Sequence, residues 1–222
     1  MSINTAASGI KSIKGGLYLV VDPKPGLDSV LPKVEAAIRG GVDIIQIWDH
    51  WSEEQNQEEF IQKICALAHR YGIPVFINEK WSWLKETPLD GVHFDQIPVD
   101  ITFIRNEIDK PFLTGLTCGN DLERIHWAVQ NGINYISFCA MYPSPSVSSC
   151  DIVRFKTVQE ARKLTDIPIF ASGGIRPDNI HSLLSLGVKG IAVISGILKS
   201  ESPEEAARKY KQALEQESEI NT

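Results

Sequence analysis

Residues 168–194 read PIFASGGIRPDNIHSLLSLGVKGIAVI, and this stretch decides the fold. It holds two short apolar runs, one before Gly173-Gly174 and one after Gly187, and the segment between them can begin helically at Pro177. An apolar strand, an amphipathic helix and a second apolar strand predict a βαβ unit with parallel strands and a right-handed crossover.

The same unit recurs along the whole chain. Eight apolar runs occur, at 17–21, 43–47, 74–77, 91–94, 111–116, 134–138, 168–171 and 190–194. Most are apolar over nearly their full length and rich in Val and Ile, as strands covered on both faces must be. Since no Rossmann glycine fingerprint follows the first run, the alternation predicts an α/β fold of the closed (β/α)8 TIM-barrel type rather than an open sheet.

Two of the intervening helices carry specific expectations. Ser29 is expected to cap the first helix, which stops at Gly40-Gly41. A later helix is expected to open at Asn120 or Asp121, to carry Leu122, Ile125 and Val129 at helical spacing, and to close at Asn131-Gly132.

The composition favours a cytoplasmic globular protein. The 222 residues are 43% apolar and 23% charged, with no run of roughly 18 apolar residues and no signal-peptide h-region. The net charge of −6 argues against a nucleic acid or an anionic membrane surface as partner. We expect one domain over 1–222, with loosely ordered ends at 1–15 and 217–222. The four cysteines have neither CxxC nor zinc-site spacing, so reduced structural thiols are expected.

The loops after the last two runs predict a phosphate site. Ligands of such barrels lie at the carboxyl ends of the strands. There the chain has Ser172-Gly173-Gly174-Ile175 and Ile194-Ser195-Gly196-Ile197. Glycines let backbone N–H groups approach an anion closely, and a short helical turn after the eighth run adds its positive end. The alternative is that the glycines only make tight turns.

Further motifs point to a family. They are Leu17-Tyr18-Leu19-Val20, Gly41-Val42-Asp43-Ile44-Ile45-Gln46, Pro74-Val75-Phe76-Ile77-Asn78, Asp90-Gly91-Val92-His93 with Gln96, Tyr142-Pro143-Ser144-Pro145-Ser146, Gly173-Gly174-Ile175 and Val193-Ile194-Ser195-Gly196-Ile197. In order and spacing the chain resembles, from Leu17 to Ser200, the thiamine-phosphate synthase (thiamine-phosphate pyrophosphorylase) family, whose superfamily includes thiazole tautomerases.

The resemblance implies a transferase of thiamine biosynthesis. Such an enzyme joins a hydroxymethylpyrimidine diphosphate to a thiazole phosphate and releases diphosphate, with Mg²⁺ present. The reaction is dissociative, so the protein mainly stabilises the departing diphosphate and positions the thiazole nitrogen. The expected partners are therefore phosphorylated heterocyclic small molecules, and the oligomeric state, including a homo-oligomer, is left open.

The resemblance also assigns residues to roles. The thiazole-phosphate cradle is implied to be Gly173, Gly174, Ile194 and Ser195. The catalytic hydroxyls are implied to be Thr117, Ser144 and Ser146. The pyrimidine and diphosphate side is implied to hold Gln46, Trp48, His50 and Asn78, and Glu79 is implied to be a magnesium ligand.

The diphosphate side departs from the family pattern. Trp48 stands where the family has an arginine, and His50 and Val147 stand where it has lysines. Pro98 replaces one of two magnesium aspartates, and Glu79 replaces the other. Each lost phosphate contact is worth about 1.5–3 kcal/mol, so the loss of two or three predicts weaker diphosphate binding or weaker stabilisation of the leaving group. The corresponding fall in reaction rate is roughly a hundredfold or more. Nearby Lys80 is a candidate for partial replacement.

Several side chains near the predicted mouth are open to two interpretations. The aromatic residues Trp48, Trp51, Trp81, Trp83, Phe94 and Tyr142 could stack on a heterocycle, with Trp48 the best candidate, or pack as part of the fold. His93 is expected to be packed and hydrogen-bonded. Asp49 and Glu79 are either functional or solvated loop charges.

Three functions remain open from the sequence. The chain is a divergent thiamine-phosphate synthase, an isomerase of the tautomerase type, or a non-catalytic regulatory protein that binds thiazole phosphate or thiamine phosphate. The isomerase hypothesis meets one mismatch. The resemblance to tautomerases implies a catalytic histidine in the loop after the fifth run, where this chain has Cys118-Gly119-Asn120.

Overall fold

Eight parallel strands close into a barrel in the order in which they occur along the chain. The computed structural model describes residues 12–143 and 151–216, and within these each strand pairs with the next and the eighth pairs with the first. The strands are β1 (Gly16–Val21), β2 (Ile44–Ile47), β3 (Val75–Asn78), β4 (Gly91–Phe94), β5 (Leu113–Thr117), β6 (Tyr135–Phe138), β7 (Ile169–Ser172) and β8 (Gly190–Val193). No strand end differs from its predicted run by more than two residues. The predicted TIM barrel is confirmed.

Helices connect the strands and cover the outside of the barrel. They are α1 (Leu27–Arg39), α2 (Gln57–His69), α3 (Ile101–Glu107), α4 (Leu122–Gln130), α5 (Phe155–Leu164), α6 (Ile180–Leu184), α7 (Ser195–Leu198) and α8 (Pro203–Glu215). Short 3₁₀ helices occupy Trp81–Lys85 and Pro177–Asn179. The described helices are too short or too polar for any of them to cross a membrane.

The predicted cap of the first helix is wrong. α1 begins at Leu27, and Gly26, with φ 87°, holds the N-cap position. The left-handed turn at this glycine starts the helix before Ser29, which therefore lies inside it.

The predicted start of α4 is confirmed, and its apolar residues differ in how deeply they are buried. Asp121 caps the helix, because its carboxylate accepts a hydrogen bond from a first-turn N–H group. Val129 is 44% exposed, whereas Ile125 and Ala128 are buried. Residues three apart share a helix face, so the buried stripe runs through Ala128 and leaves Val129 outside.

The barrel separates two apolar clusters. The larger one lies between the strands and the surrounding helices. The smaller one, the inner cluster, fills the barrel with Tyr18, Val20, Ile44, Phe76, Leu113, Tyr135 and Phe170. Trp48, Ile194, Ala192 and Ile13 pack against it as partly buried neighbours. Because Trp48 follows β2 and Ile194 follows β8, they lie at the carboxyl end of the barrel, where ligands of this fold bind. The expectations for 217–222 and for most of 1–15 lie outside the described residues.

Candidate active site

A chain of hydrogen bonds crosses the barrel interior and ends at Gln46, a predicted site residue. The Tyr18 hydroxyl donates to Gln46 Oε1 at 2.9 Å. The hydroxyls of Tyr18 and Tyr135 share a hydrogen bond of 2.8 Å, and Tyr135 Oη lies 2.8 Å from His93 Nδ1. All four side chains are buried, so each polar atom depends on its neighbour in place of water.

The same chain continues to Thr117 on β5. His93 Nε2 lies 2.9 Å from Thr117 Oγ1, which in turn lies 3.1 Å from the Ser137 hydroxyl. Thr117, expected from the family resemblance to face a diphosphate, is therefore bonded within the barrel on two sides. The complete chain, which we call the polar chain, is Gln46, Tyr18, Tyr135, His93, Thr117 and Ser137.

Burial sets the protonation states in the polar chain. Desolvation lowers the pKa of His93 to about 4, although the Asp95 charge opposes the shift. The imidazole is therefore neutral at pH 7 and suited to hydrogen bonding. Desolvation also raises the pKa of Tyr18 and of Tyr135 well above the usual tyrosine range, so both phenols stay protonated. His93 is packed and hydrogen-bonded, as the sequence predicts.

An acidic region adjoins the polar chain at the ends of β3 and β4. Asn78 Nδ2 donates to Asp95 Oδ2 at 3.1 Å and to the His93 carbonyl at 3.3 Å. Glu79 has a φ of 59°, and its Oε1 accepts from the N–H groups of Asp95 at 2.5 Å and Gln96 at 3.3 Å. Desolvation raises the pKa of Glu79, helped by the charges of Asp95 and Asp49.

The described residues bring only part of a metal site together. Within 12–143 and 151–216, no group of three or more His, Cys, Asp or Glu side chains is arranged to hold a metal ion. Glu79 Oε1 reaches the backbone N–H of Asp95, and the charges of Asp95 and Asp49 both act on the Glu79 carboxylate. Asp100, which lies near Pro98 in sequence, instead caps α3 by accepting the Phe103 N–H at 2.8 Å.

The loop after β2 lies beside this acidic region, because β2 pairs with β3. Trp48 packs on the inner cluster, and its ring centroid lies 4.8 Å from that of His50. His50 Nδ1 lies 3.0 Å from Asp22 Oδ1, at the end of β1. Lys80, the candidate replacement for a lost cation, pairs with Asp49 at 3.4 Å. This ion pair takes up part of the charge that Lys80 could offer to a phosphate.

The remaining aromatic side chains pack within the fold. Trp51 meets Phe60 edge-on at 5.4 Å, and Trp81 meets Phe103 edge-on at 6.2 Å. Phe94 is buried in the larger apolar cluster between the strands and the helices, and the partly buried Trp83 packs against the same cluster. The Tyr142 hydroxyl is hydrogen-bonded to the Ser182 hydroxyl and to the Asn179 carbonyl. Trp48 is therefore the member of this predicted group that reaches the barrel interior.

The predicted phosphate cradle is a glycine turn that follows β7. Gly173 and Gly174 have φ values of 83° and 66°. The Gly173 carbonyl accepts from Tyr142 N–H at 3.0 Å, and the Gly174 carbonyl accepts from Asn179 Nδ2 at 3.1 Å. Within the described residues, the N–H groups of both glycines lack a hydrogen-bond acceptor. The left-handed glycine turn therefore fits both interpretations of the sequence, an anion site and a tight turn.

The other strand of the cradle brings Ile194 and Ser195 beside these glycines. Ile194 follows β8 and Ser195 starts α7, so the predicted short helical turn is present. β7 and β8 pair side by side, with Ser172 opposite Ala192. The four cradle residues are therefore brought together as predicted. Ser144, Ser146 and Val147 lie outside the described residues.

A model of the family described as thiamine monophosphate synthase matches residues 17–197 of this chain. The chain belongs to this family. Thiamine-phosphate synthase from Nitrosococcus oceani is 33% identical over 204 residues, which cover 89% of this chain and 91% of that protein. Thiamine-phosphate synthase from Halorhodospira halophila is 30% identical over 193 residues, which cover 87% and 91%. Among solved structures, thiamine phosphate pyrophosphorylase from Pyrococcus furiosus superposes with a TM-score of 0.78 at 23% identity, over 91% of this chain and 96% of that one.

Several residues of this thiamine monophosphate synthase-family site were not found from the sequence. Tyr135 and Ser137 join the polar chain from β6, and Asp22 holds His50. Arg124 of α4 reaches the loops after β4 and β5. Asp22 was noticeable as a strand-end residue, but its pairing across 28 positions had no local signal.

Proposed function

We propose that this chain is a thiamine-phosphate synthase that acts on a hydroxymethylpyrimidine diphosphate and a thiazole phosphate. The observation that carries the proposal is the Gly173-Gly174 cradle, which lies across the same barrel mouth from Gln46, in a chain that belongs to the family. A phosphate at one wall and a pyrimidine at the other would bring the two reacting rings together over the inner cluster. Proximity of this kind is the main contribution available to a dissociative reaction.

The two walls would do different work. The N–H groups of Gly173 and Gly174, which have no acceptor among the residues that the structure describes, would hold the thiazole phosphate without needing a cation. Gln46, whose Oε1 is taken by Tyr18, would offer its amide NH₂ group to the pyrimidine. Trp48 would cover the flat ring on the side of the β2 loop. These contacts orient the substrates and keep water from the reacting carbon.

The residues fit Mg²⁺ in the way that diphosphate sites use it, through one or two carboxylates together with the substrate's own oxygens. Glu79 and Asp95 would hold the ion, because the mutual repulsion of the two carboxylates would be relieved by a cation. The chemistry supplied by bound Mg²⁺ is neutralisation of charge on the departing diphosphate. His50, held by Asp22, would add a hydrogen-bond donor where the family has a lysine.

A direct assay tests the function. The full chain is incubated with thiazole phosphate, pyrimidine diphosphate and Mg²⁺, and thiamine phosphate and diphosphate are quantified. We expect turnover at a rate reduced by the missing cations. The combined variant Trp48→Arg, His50→Lys, Val147→Lys should be faster by roughly tenfold or more, since each restored phosphate contact is worth about 1.5–3 kcal/mol. No turnover at high enzyme load would reject the synthase and leave the isomerase and the regulatory protein.

Calorimetry with thiazole phosphate alone tests the cradle. Gly174→Asp should abolish binding, because a side chain there would meet Tyr142 at 2.7 Å and add a negative charge. Gly119→Asp is the matched control, since Gly119 also has a left-handed φ of 57° but has open space around its Cβ position. Equal affinity in the two variants would show that the phosphate binds elsewhere.

A further inference from the structure

Arg124 of α4 contacts two loops of the candidate site from outside the barrel. Its Nη1 donates to the Asp95 carbonyl at 3.1 Å and to the Thr117 carbonyl at 3.2 Å, and its Nη2 donates to Gln96 Oε1. Asp121, which caps the same helix, lies 3.7 Å from Arg124 Nε. The guanidinium therefore joins the loop after β4 to the end of β5, at the wall that the acidic pair shares with Thr117.

The Asp95–Gln96 segment is held from the other side by Glu79. The two backbone N–H groups of the segment donate to Glu79 Oε1, while its carbonyl and its amide side chain accept from Arg124. The Arg124 guanidinium thus binds the hydrogen-bond acceptors of the segment, and the Glu79 carboxylate binds its donors. Such a segment has few ways to move without breaking charge-assisted hydrogen bonds, which are stronger than neutral ones.

The position of the segment decides where the Asp95 carboxylate lies. Its Oδ2 accepts from Asn78 Nδ2, and its Oδ1 lies 3.8 Å from His93 Nε2. Because Glu79 binds the backbone of the same residue, the two carboxylates stay together as long as the segment keeps its conformation. Nothing on β4 itself supplies this restraint, since the strand ends at Phe94.

We infer that Arg124 is a positioning residue, which holds the Asp95–Gln96 segment so that the Asp95 and Glu79 carboxylates are presented together to a metal–diphosphate. This inference rests on the proposed function and adds to it a residue that no motif of the sequence singled out. It also places a cation at a wall of the mouth in a chain that carries Trp48, His50 and Val147 where lysine and arginine are expected.

The chain offers a matched control for an arginine that only supports a fold. Arg105 of α3 donates from Nη2 to the carbonyls of Asn131 at 2.7 Å and Gly132 at 3.2 Å, at the far end of α4. Like Arg124, it ties a loop down through two backbone oxygens. Removing either guanidinium costs similar backbone contacts, but only one of them adjoins the site.

The experiment compares Arg124→Gln, Arg124→Lys and Arg105→Gln in the full chain. Binding of Mn²⁺ in the presence of inorganic diphosphate is followed by electron paramagnetic resonance. We expect Arg124→Gln to weaken metal affinity by about 10- to 100-fold, the usual effect of losing a group that orients a metal ligand. Arg124→Lys should recover part of the loss, and Arg105→Gln should bind as the unaltered chain does.

Hydrogen exchange provides a second readout that does not depend on catalysis. The backbone amides of Asp95 and Gln96 should exchange faster in Arg124→Gln than in the unaltered chain. In Arg105→Gln their exchange rates should not change. Unchanged exchange and unchanged Mn²⁺ affinity in Arg124→Gln would overturn the inference. If the unaltered chain binds no metal–diphosphate, the proposed function fails and with it the role of Arg124 in presenting carboxylates, while the exchange data still report whether Arg124 holds the segment.

Discussion

At the scale of single residues, burial turns His93 from a titratable group into a fixed member of the barrel interior. Its ring is 6% exposed and packs against the Tyr135 ring, with centroids 5.5 Å apart. Both ring nitrogens have protein partners, Tyr135 and Thr117. A charged imidazole here would be desolvated, which is why its pKa falls to about 4.

The shift makes stability depend on pH. An unfolded chain takes up a proton on this histidine near pH 6.5, whereas the folded chain resists it until about pH 4. The unfolded state therefore binds more protons between these values, and the free energy of unfolding should fall as the pH drops from 6.5 to 4, by up to about 3 kcal/mol from His93. Urea unfolding at pH 7, 5.5 and 4.5 measures this decrease in the free energy of unfolding.

Two variants isolate this contribution. His93→Gln should unfold with a shallower dependence on pH, although it is less stable at pH 7. His126→Gln, on the exposed face of α4, should keep the slope of the unaltered chain. If His93→Gln and the unaltered chain lose stability in parallel as the pH falls, another group is responsible.

At the scale of elements, the last helix attaches to the first two strands through one carboxylate. Asp43, just before β2, accepts the Leu17 N–H at 2.7 Å and Lys211 Nζ at 2.8 Å, both on Oδ2. Gly16 lies against the same carboxylate, where a Cβ would come within 2.3 Å of Oδ2. α8 therefore ties down β1 and β2 at the bottom of the barrel, while its Tyr210 hydroxyl donates to the Ile175 carbonyl beneath the cradle at 3.0 Å.

Asp43→Ala should lower the free energy of unfolding by about 2–4 kcal/mol. The substitution leaves the Leu17 N–H without its acceptor, at a desolvation cost of about 1–3 kcal/mol. It also removes the nearer of two carboxylates beside the Lys211 ammonium, which keeps Glu215 at 3.6 Å, and this partly exposed ion pair adds up to about 1 kcal/mol. Glu204→Ala is the control at the other end of the helix, where the pairs with Arg39 and Arg208 are exposed to solvent, so a smaller loss is expected. Equal losses in urea unfolding would mean that Asp43 is no more than another surface charge.

At the scale of the whole molecule, glycines on three strands make room for the rings that fill the barrel. A Cβ at Gly190 on β8 would come within 2.2 Å of the Phe170 ring, and one at Gly115 on β5 would come within 2.1 Å of the Tyr135 ring. Gly91 relates to Phe76 in the same way, at 2.3 Å. Each of these three rings faces a glycine on a neighbouring strand, and the glycine leaves the space that the ring occupies inside the barrel.

A pair of substitutions tests this packing. Gly190→Ala alone should cost about 1–3 kcal/mol, since overpacking a closed core forces strain on its neighbours. Phe170→Leu alone should also destabilise the barrel, by leaving a void. The double variant should be more stable than the sum of the single losses predicts, because the smaller side chain vacates the space that the new methyl group needs. Additive losses in urea unfolding would show that the two positions do not compete for the same space.

Much of the fold and half of the site could be predicted from local patterns. Apolar runs marked all eight strands, because a strand covered on both faces has few polar positions. The cradle was predictable for a related reason, since Gly173, Gly174 and Ser195 follow their strands directly in the chain. Local backbone chemistry is enough to place such residues. The helix start misassigned at Ser29 shows the limit of this approach, because Gly26, three positions earlier in the chain, holds the N-cap instead.

The sequence by itself determined the barrel, the family and the glycine turn of the proposed phosphate cradle. Only the tertiary structure decided which side chains meet inside it: the polar chain joins Tyr18 to Tyr135 across 117 positions, and Arg124 reaches Asp95 across 29. The physical reason is closure. Strand periodicity says that a side chain points inward, but the partner it finds there depends on the register of eight strands and on the space that glycines leave between rings.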